Sequence, residues 1–287
     1  MKILENCNMA EFTSFKAGGN CERLLIVESN QELAQALSEI SKNGKKHILL
    51  GNGSNTLFAD GMYDGTVIKL GECFNKISVS AEMVSAGSAV LLSKVAREAM
   101  NFGLGGLEPL SGIPGSIGGA LFMNAGAYGG EMSHVVSRAY VIKSDGSESY
   151  WISKNDMELG YRTSRFKNSQ EIILEVEFKL EKKPKSEIKS LMNEYTERRN
   201  SKQPLTLPSC GSFFKRPEGH FAGALIQNSG LAGYSIGGAQ VSEKHCGFLV
   251  NRGGATATDV LALKDFVQKT VKEKFGVDLE PEVRIIL

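Results

Sequence analysis

Two hydrophobic patterns alternate along the chain, and they predict its strands and helices. Apolar residues at every second position, as in IILEVEFKLE, indicate a half-buried strand. Apolar residues three or four apart predict amphipathic helices after a Ser29–Glu32 capping box, through LLSKVAREAMNFG, and after a second cap at Thr256 and Asp259. Because a β-α-β unit, a strand-rich section and a mixed C-terminal section follow one another, the pattern predicts an α+β fold.

Changes in these patterns divide the chain into three predicted lobes. Residues 1–70 contain a β-α-β unit, and residues 71–183 are dominated by short strands, including a hairpin that turns at Asp145-Gly146. The charged, proline-interrupted run EKKPKSE marks the next boundary, and residues 184–279 form a mixed C-terminal lobe. We expect residues 280–287 to form a terminal strand that joins the first lobe.

The segment Ser111–Glu131 holds seven glycines in 21 positions and no charge before its last residue. These glycines could serve tight turns and close packing alone, or they could let backbone amides line one surface around a ligand's phosphates. The chain has no G-x-x-x-x-G-K-[S/T], and GNGSNT has Thr56 at the last glycine position of G-x-G-x-x-G. The sequence therefore disfavours a Rossmann-type dinucleotide fold and leaves both interpretations of the segment open.

Composition narrows the class of partner and the compartment. The formal net charge is +1, which argues against nucleic acid as a partner. Five scattered cysteines and four dispersed histidines indicate neither a disulfide framework nor a metal site, and they favour a reducing cytosol. Two long windows, Pro109–Gly130 and Gly219–Ser242, lack Asp, Glu, Lys and Arg. Because glycine, proline, serine and asparagine interrupt both windows, we predict no membrane span, and the N-terminus lacks the apolar run of a signal peptide.

Three short blocks carry candidate chemistry. YRTSRF places Tyr161 and Arg162 before a strand, PSCGSFFKRP places Ser212 and Lys215 between prolines, and LEPEVR places Glu282 at the start of the terminal strand. Each block taken singly also fits an ordinary loop, since charged runs usually face water. No histidine lies beside Ser212 in the sequence, and the spacing therefore supports no Ser-His-Asp hydrolase.

Taken together and in order, six blocks resemble the UDP-N-acetylenolpyruvoylglucosamine reductase family of peptidoglycan synthesis. They span positions 50 to 286 and are LGNGSNTLF, GLGGLEPLSGIPGSIGGALFMNAGAYGGE, YRTSRF, GSFFKRP, AGALIQNSGLAGYSIGGAQVSEKHCGFLVN and LEPEVRII. The resemblance implies a three-lobed FAD-binding fold of the vanillyl-alcohol-oxidase type with a C-terminal substrate-binding lobe. It also implies a cytoplasmic enzyme, a monomer or weak oligomer, with non-covalent FAD, NADPH as co-substrate, no metal, and a sugar-nucleotide substrate that carries an enolpyruvyl ether.

The resemblance further implies roles for particular residues. Arg162 would stabilise negative charge at the substrate carboxylate, and Ser212 would protonate the α-carbon. Glu282 would assist at the same carboxylate, either protonated or held by a cation. Tyr161 and Lys215 would contact the substrate. The residues expected on FAD are Gly51, Asn52, Gly53, Ser54, Asn55, Thr56, Gly112, Ile113, Pro114, Gly115, Gly118, Gly119, Asn124 and Gly126.

The chain departs from part of the family after YRTSRF. Only a short run separates Phe166 from the next predicted helix, Glu187 to Arg199, and the resemblance therefore places the chain in the shorter subtype that lacks a lid tyrosine. Cys210, two residues before Ser212, is either an inert small residue or an oxidation-sensitive thiol. Two other functions stay open: another FAD-dependent oxidase or dehydrogenase of the same superfamily, and a catalytically inactive nucleotide-binding protein.

Overall fold

The computed structural model describes all of residues 1–287. The chain forms two compact units, each built from three segments. The first unit contains Met1–Leu4, Arg23–Asn52 and Gly65–Arg199, and the second unit contains Glu5–Glu22, Gly53–Asp64 and Asn200–Leu287. None of the helices combines the length and the apolar character that crossing a bilayer requires.

The strands are short and follow one another along the whole chain. The first ten are β1 Lys2–Asn8, β2 Asn20–Val27, β3 His47–Leu49, β4 Thr56–Phe58, β5 Met62–Leu70, β6 Ile77–Ser80, β7 Met83–Gly87, β8 Leu104–Gly105, β9 Gly126–Ala127 and β10 Gly130–Glu131. The others are β11 Val136–Ile142, β12 Ser149–Ser153, β13 Ile172–Lys179, β14 Glu181–Lys182, β15 Ser209–Ser212, β16 Ser235–Ile236, β17 Ala239–Val241, β18 Phe248–Asn251 and β19 Arg284–Ile286.

Helices lie between groups of these strands, and the predicted α+β class is confirmed. They are α1 Asn30–Lys42, α2 Leu92–Asn101, α3 Ile117–Phe122, α4 Met132–Val135, α5 Phe166–Ser169, α6 Lys185–Lys202, α7 Ala222–Asn228 and α8 Ala257–Phe275. Single 3₁₀ turns occupy Met9–Glu11, Glu72–Phe74, Glu108–Leu110 and Lys154–Met157.

The core of the first unit lies on a five-stranded antiparallel sheet with the order β12-β11-β13-β7-β6. In β13 the predicted alternation is confirmed from Leu174 onward, since Val176 and Phe178 are fully buried and Glu175 and Glu177 are half-buried. The strand begins instead with consecutive buried residues, Ile172 and Ile173. Apolar side chains of α2 and α3 pack against this sheet. A second sheet has the order β1-β2-β5-β3, and α1 connects β2 to β3 as the β-α-β prediction requires.

The second unit is built on the antiparallel sheet β15-β18-β17-β16, against which α7 and α8 pack. The predicted cap of α8 is confirmed. Thr256 Oγ1 accepts from Asp259 N at 3.1 Å, and Asp259 Oδ2 accepts from Thr256 N at 3.0 Å. The predicted terminal strand forms as β19, which pairs in parallel with β4, and its membership of the first lobe stays a prediction.

The capping box predicted at α1 forms only in part. Ser29 Oγ accepts from Glu32 N at 3.1 Å, as expected. The Glu32 carboxylate instead accepts from Glu28 N at 2.8 Å and pairs with the N-terminal ammonium at 2.5 Å. The positive terminus and a neighbouring amide therefore take the carboxylate away from the Ser29 backbone. The three-lobe division stays a prediction, since α6 begins at the expected boundary but belongs to the first unit as far as Arg199.

Candidate functional site

In the first unit, the turn that carries Tyr161 and Arg162 is bound to the glycine-rich segment Ser111–Glu131. Asn124 is fully buried, and its Nδ2 donates to Gly160 O at 3.0 Å. On the far side of the turn, Ser164 Oγ donates to Phe122 O at 2.7 Å. Asn124 Oδ1 also accepts from Ser133 N at 2.9 Å, which occupies the side-chain amide within the protein. Asn124, predicted to contact FAD, therefore also positions the turn of Arg162.

The backbone of Arg162 has a left-handed conformation with φ of 54°, which residues other than glycine adopt rarely. Its Nη2 donates to Gly126 O at 3.0 Å, and its guanidinium carbon lies 5.1 Å from the centre of the Tyr161 ring. Nearby, the Ser133 hydroxyl donates to the Glu131 carboxylate and lowers its pKa, and the charge of Arg162 adds to this effect. The turn thus holds the permanently charged guanidinium of Arg162 on a fixed backbone, an arrangement suited to binding a carboxylate.

Two stretches predicted to contact FAD meet inside the first unit. Asn52 Nδ2 donates to Pro114 O at 2.6 Å. A Cβ on Gly51 would lie 2.5 Å from Ser116 Oγ, which explains why this position lacks a side chain. Gly51 O in turn accepts from Lys69 Nζ at 2.7 Å. Burial lowers the pKa of Lys69, because the charged ammonium loses solvent.

Within the segment Ser111–Glu131, the neighbouring glycines Gly118 and Gly119 lie in different surroundings. A Cβ on Gly118 would lie 1.8 Å from Ser88 Oγ, whereas a Cβ on Gly119 would meet nothing nearer than Ser116 Oγ at 3.5 Å. Gly119 is exposed and Gly118 is buried. Both interpretations left open for this segment therefore find support, since Gly118 serves internal packing and Gly119 presents open backbone.

In the second unit, Ser212 ends β15 directly after Gly211, whose φ is 78°. The ladder between β15 and β18 is irregular between Ser209 and Ser212, and this turns the chain out of the sheet. Ser212 is half-buried, and its hydroxyl donates to Phe214 O at 3.3 Å. The rings of Phe213 and Phe214 are buried behind it, which fixes the backbone that presents the hydroxyl.

Backbone pairing brings Ser212, Lys215 and Glu282 into one region of the second unit. Glu282 N donates to Phe213 O at 2.8 Å, and Lys215 N donates to Glu280 O at 2.8 Å. The Lys215 ammonium also forms an ion pair with the Glu280 carboxylate. Two blocks that lie about seventy residues apart in the sequence thus form a single short antiparallel bridge around the serine.

The turn Gly53–Thr56 lies beside this bridge. Asn55 Nδ2 donates to Glu282 O at 3.1 Å, and Asn55 O accepts from Arg284 N at 3.0 Å. Gly53 has φ of 65°, and a Cβ there would lie 2.1 Å from Phe12 O. The predicted FAD-binding residues Gly53 to Thr56 and the predicted catalytic Glu282 are therefore neighbours.

The structure also identifies two cations that the sequence analysis did not single out, Lys69 and Arg199. Arg199 is half-buried in α6 and lies against Gly112 of the glycine-rich segment. Neither residue has a carboxylate partner. Lys69 lies among apolar residues of β5 and Arg199 in a charged helix, and neither local pattern signals burial. The only signal in the sequence is that the glycine-rich segment has no cationic side chain, so that a cation near it would have to come from another part of the chain.

Known proteins match the chain in both of its main parts. Residues 22–149 match the family described as FAD binding domain, and residues 203–286 match the family described as UDP-N-acetylenolpyruvoylglucosamine reductase, C-terminal domain. The UDP-N-acetylenolpyruvoylglucosamine reductase of Clostridium botulinum (strain Alaska E43 / Type E3) is 47% identical over 285 residues, covering 99% of this chain and 93% of that protein. The enzyme of Clostridium perfringens (strain SM101 / Type A) is 48% identical over 278 residues, covering 97% and 91%.

A solved structure agrees with these matches. The crystal structure of UDP-N-acetylenolpyruvylglucosamine reductase from Thermus caldophilus superposes with a TM-score of 0.86 at 34% identity, covering 100% of this chain and 98% of that chain. The fold and these matches define an FAD-containing oxidoreductase. The chain belongs to the UDP-N-acetylenolpyruvoylglucosamine reductase family, whose members use FAD and NADPH.

Three of the residues expected on FAD have backbone groups that fit such a ligand. In the first unit, the backbone N–H groups of Gly51, Asn52 and Gly119 donate to no acceptor within the protein. Bare amides of this kind bind the phosphate oxygens of a dinucleotide, since they supply positive dipoles without bulk. Lys69 and Arg199 add positive charge on the same unit. The donor set is therefore cationic and rich in amides, as an anionic pyrophosphate requires.

Proposed function

We propose that this protein reduces the enolpyruvyl ether of UDP-N-acetylglucosamine-enolpyruvate to UDP-N-acetylmuramate, a step of peptidoglycan synthesis. The observation that carries the proposal is 47% identity to a reductase of this name over 99% of the chain. Support comes from the Arg162 turn in the first unit and the Ser212–Glu282 bridge in the second. When bound, FAD carries the hydride that NADPH supplies to the β-carbon of the ether.

The protein's own residues then handle the charge and the proton. Addition of hydride at the β-carbon leaves negative charge spread from the α-carbon into the carboxylate. Arg162 binds that carboxylate through its fork, since a guanidinium keeps its charge at any working pH. Ser212 donates its hydroxyl proton to the α-carbon, a transfer that a weak acid makes only to a strongly basic carbon. Glu282 assists at the carboxylate, protonated or held by a cation.

Two further residues complete the proposal for the substrate. Tyr161 is 52% exposed and stands beside Arg162, where it can contact the sugar nucleotide. Lys215 is paired with the exposed Glu280, and a diphosphate could compete with that carboxylate for the ammonium. We place the reaction in the cytoplasm and expect a monomer or weak oligomer. Support for the compartment comes from the five cysteines, all of which are free thiols.

The two half-reactions test the assignment of Ser212. In Ser212→Ala, flavin reduction by NADPH should stay near the wild-type rate, while flavin reoxidation by the enolpyruvyl sugar nucleotide should fall about a hundredfold or more. Both rates are read from flavin absorbance in stopped flow. Ser209→Ala, in the same strand, is the matched control and should keep both rates. Equal losses in the two half-reactions of Ser212→Ala would make the serine structural.

The wild-type protein separates this function from its rivals. The purified protein should be yellow, should bleach with NADPH without oxygen, and should recover its colour when the enolpyruvyl substrate is added. An oxidase of the same superfamily would instead recover its colour with oxygen or require an alcohol for bleaching. An inactive nucleotide-binding protein would show no substrate-dependent consumption of NADPH.

A further inference from the structure

Arg199 is a half-buried arginine with no partner in the protein. It takes part in no hydrogen bond, ion pair or ring contact, and the only titratable group that acts on it is Tyr128. Burial lowers the pKa of its guanidinium, because the charge loses solvent. The preceding residue, Arg198, is exposed and pairs with Glu194 at 2.6 Å. One helix thus carries an ordinary surface arginine next to one whose charge is uncompensated.

The position of Arg199 is fixed by contacts between α6 and the glycine-rich segment Ser111–Glu131. Tyr195 and Arg199 are four residues apart and share one face of α6. The Tyr195 ring stacks on Tyr128 at 5.0 Å with an angle of 18° between the planes. One turn further, Arg199 Cδ, Nη1 and Nε lie 3.1, 3.8 and 3.9 Å from the position that a Cβ on Gly112 would occupy. Gly112 therefore lacks a side chain at the point where the Arg199 side chain packs on it.

A half-buried charge without a counterion is costly, and proteins usually pair such a group. The segment beneath it, Pro109–Gly130, contains no Asp, Glu, Lys or Arg and cannot supply the counterion. A guanidinium offers five donors in a fork that matches the oxygens of a phosphate. The chemistry that satisfies Arg199 is therefore a phosphate oxyanion bound over the glycine-rich segment.

We propose that Arg199 binds the pyrophosphate of FAD and supplies the positive charge that the glycine-rich segment lacks. This inference rests on the proposed function, since it requires that the segment holds FAD. Arg199 lies fifty residues beyond the region that matches the FAD binding domain, residues 22–149. The first unit nevertheless brings α6 back onto that region, and the open amides of Gly119 and Asn52 belong to the same unit.

Titration of the apoprotein with FAD tests the proposal without reference to turnover. After removal of FAD, binding is followed by quenching of flavin fluorescence. Arg199→Met keeps most of the aliphatic stem but removes the charge, and it should raise the Kd for FAD about tenfold to a hundredfold, the value of one charge-assisted contact. Arg199→Lys should give a smaller loss, because an ammonium keeps the charge without the fork. Arg198→Met is the matched control and should bind FAD as the wild type does.

A second titration distinguishes the two possible sources of phosphate. The holoprotein of each variant, saturated with FAD, is titrated with UDP as a probe for the diphosphate of the sugar nucleotide. Arg199→Met should bind UDP with wild-type affinity. Loss of UDP binding with unchanged FAD binding would assign the arginine to the sugar nucleotide and overturn the proposal. Unchanged binding of both ligands would overturn it as well.

Controls separate failure of this inference from failure of the proposed function. If the wild-type protein binds no FAD, the proposed function itself is wrong. If the wild type binds FAD and Arg199→Met binds it equally well, only the role of Arg199 is wrong. Urea unfolding of each apoprotein, followed by the fluorescence of Trp151 in the first unit, shows whether the variant is folded. Should Arg199→Met be unfolded, Arg199→Lys carries the test, and FAD affinity equal to that of the wild type would overturn the proposal.

Discussion

The thiols of Cys210 and Cys73 differ in their exposure to solvent. Cys210 is 3% exposed and its Sγ donates to Thr56 O at 3.4 Å. Burial raises its pKa to about 12, which leaves almost no thiolate at neutral pH. Cys73 is exposed. Of the two states considered for Cys210, the structure therefore favours the inert small residue over the oxidation-sensitive thiol.

Alkylation of the native protein checks this difference. With iodoacetamide at about pH 8, we expect Cys73 to be labelled quickly and Cys210 to stay unlabelled, since the thiolate is the reactive form. Peptide mapping by mass spectrometry gives the labelled fraction at each position. Protein denatured in urea is the control and should label all five cysteines. Labelling of native Cys210 at the rate of Cys73 would contradict the assignment.

The predictability of single residues depends on what defines their role. Arg162, Ser212 and Glu282 were predicted because they occur in blocks with a distinctive order, and the structure holds them in a turn and a bridge. Arg199 could not be identified in the same way. Its distinguishing property is the lack of a counterion, and that property arises only when α6 packs on Gly112. A sequence records the charge of a side chain but not the charges that surround it.

At the scale of elements, substitutions in α3 distinguish glycines that are needed for packing from glycines that leave the backbone exposed. Gly118 and Gly119 are adjacent in α3, but only Gly118 faces Ser88. Gly118→Ala would place a Cβ 1.8 Å from Ser88 Oγ and should destabilise the first unit by about 1–3 kcal/mol, a typical cost of overpacking. Gly119→Ala is the matched control. It should leave stability unchanged or slightly higher, because alanine favours helix over glycine.

Urea unfolding followed by Trp151 fluorescence measures both variants in the absence of FAD. The double variant Ser88→Ala/Gly118→Ala removes the crowding hydroxyl and should recover part of the lost stability. No recovery would mean that the cost of Gly118→Ala does not come from Ser88. A substitution at Gly118 is therefore expected to lower FAD affinity through the fold. Gly119 is the position at which a larger side chain would test contact with FAD itself.

An element could be predicted from the sequence where the residues that stabilise it lie close together in the chain. The α8 helix is signalled by Thr256 and Asp259, and the hairpin by Asp145-Gly146, since the residues that bond lie within three positions of each other. The helix α3 was not predicted, because three of the six residues after Ser116 are weak helix formers or β-branched and two of these are glycines. It forms because Ile117 N and Gly118 N donate to Val90 O and Ser88 O, contacts that only the folded unit supplies.

At the scale of the whole molecule, the sequence predicted the fold class, while its three-lobe division stays a prediction. EKKPKSE was interpreted as a lobe boundary because it is charged and contains proline. In the structure the first unit continues through α6 to Arg199, and the lobe boundary stays a prediction. Local composition marks where the chain is exposed. The face of α6 that carries Tyr195 belongs to the first unit because of a partner ring at Tyr128, which lies more than sixty residues earlier.

The pH dependence of stability is a property of the whole molecule that two histidines shape, one in each unit. Burial lowers the pKa of His47 and of His245, because each imidazole loses solvent when it is charged. The unfolded chain binds these protons near pH 6.5. Their contribution to stability is fully present above about pH 6.5, and it is lost as the pH falls through the lower folded-state pKa, since the unfolded state then binds more protons.

We therefore expect the urea midpoint of the first unit, measured by Trp151 fluorescence, to fall between about pH 7.5 and pH 5.5. His47→Gln should flatten this fall, because glutamine cannot take up the proton that favours the unfolded state. His220→Gln is the control, because His220 is exposed and lies in the second unit, and the first unit of this variant should keep the wild-type dependence. If His47→Gln and the wild type lose stability in parallel, burial of His47 does not set the acid sensitivity of the first unit.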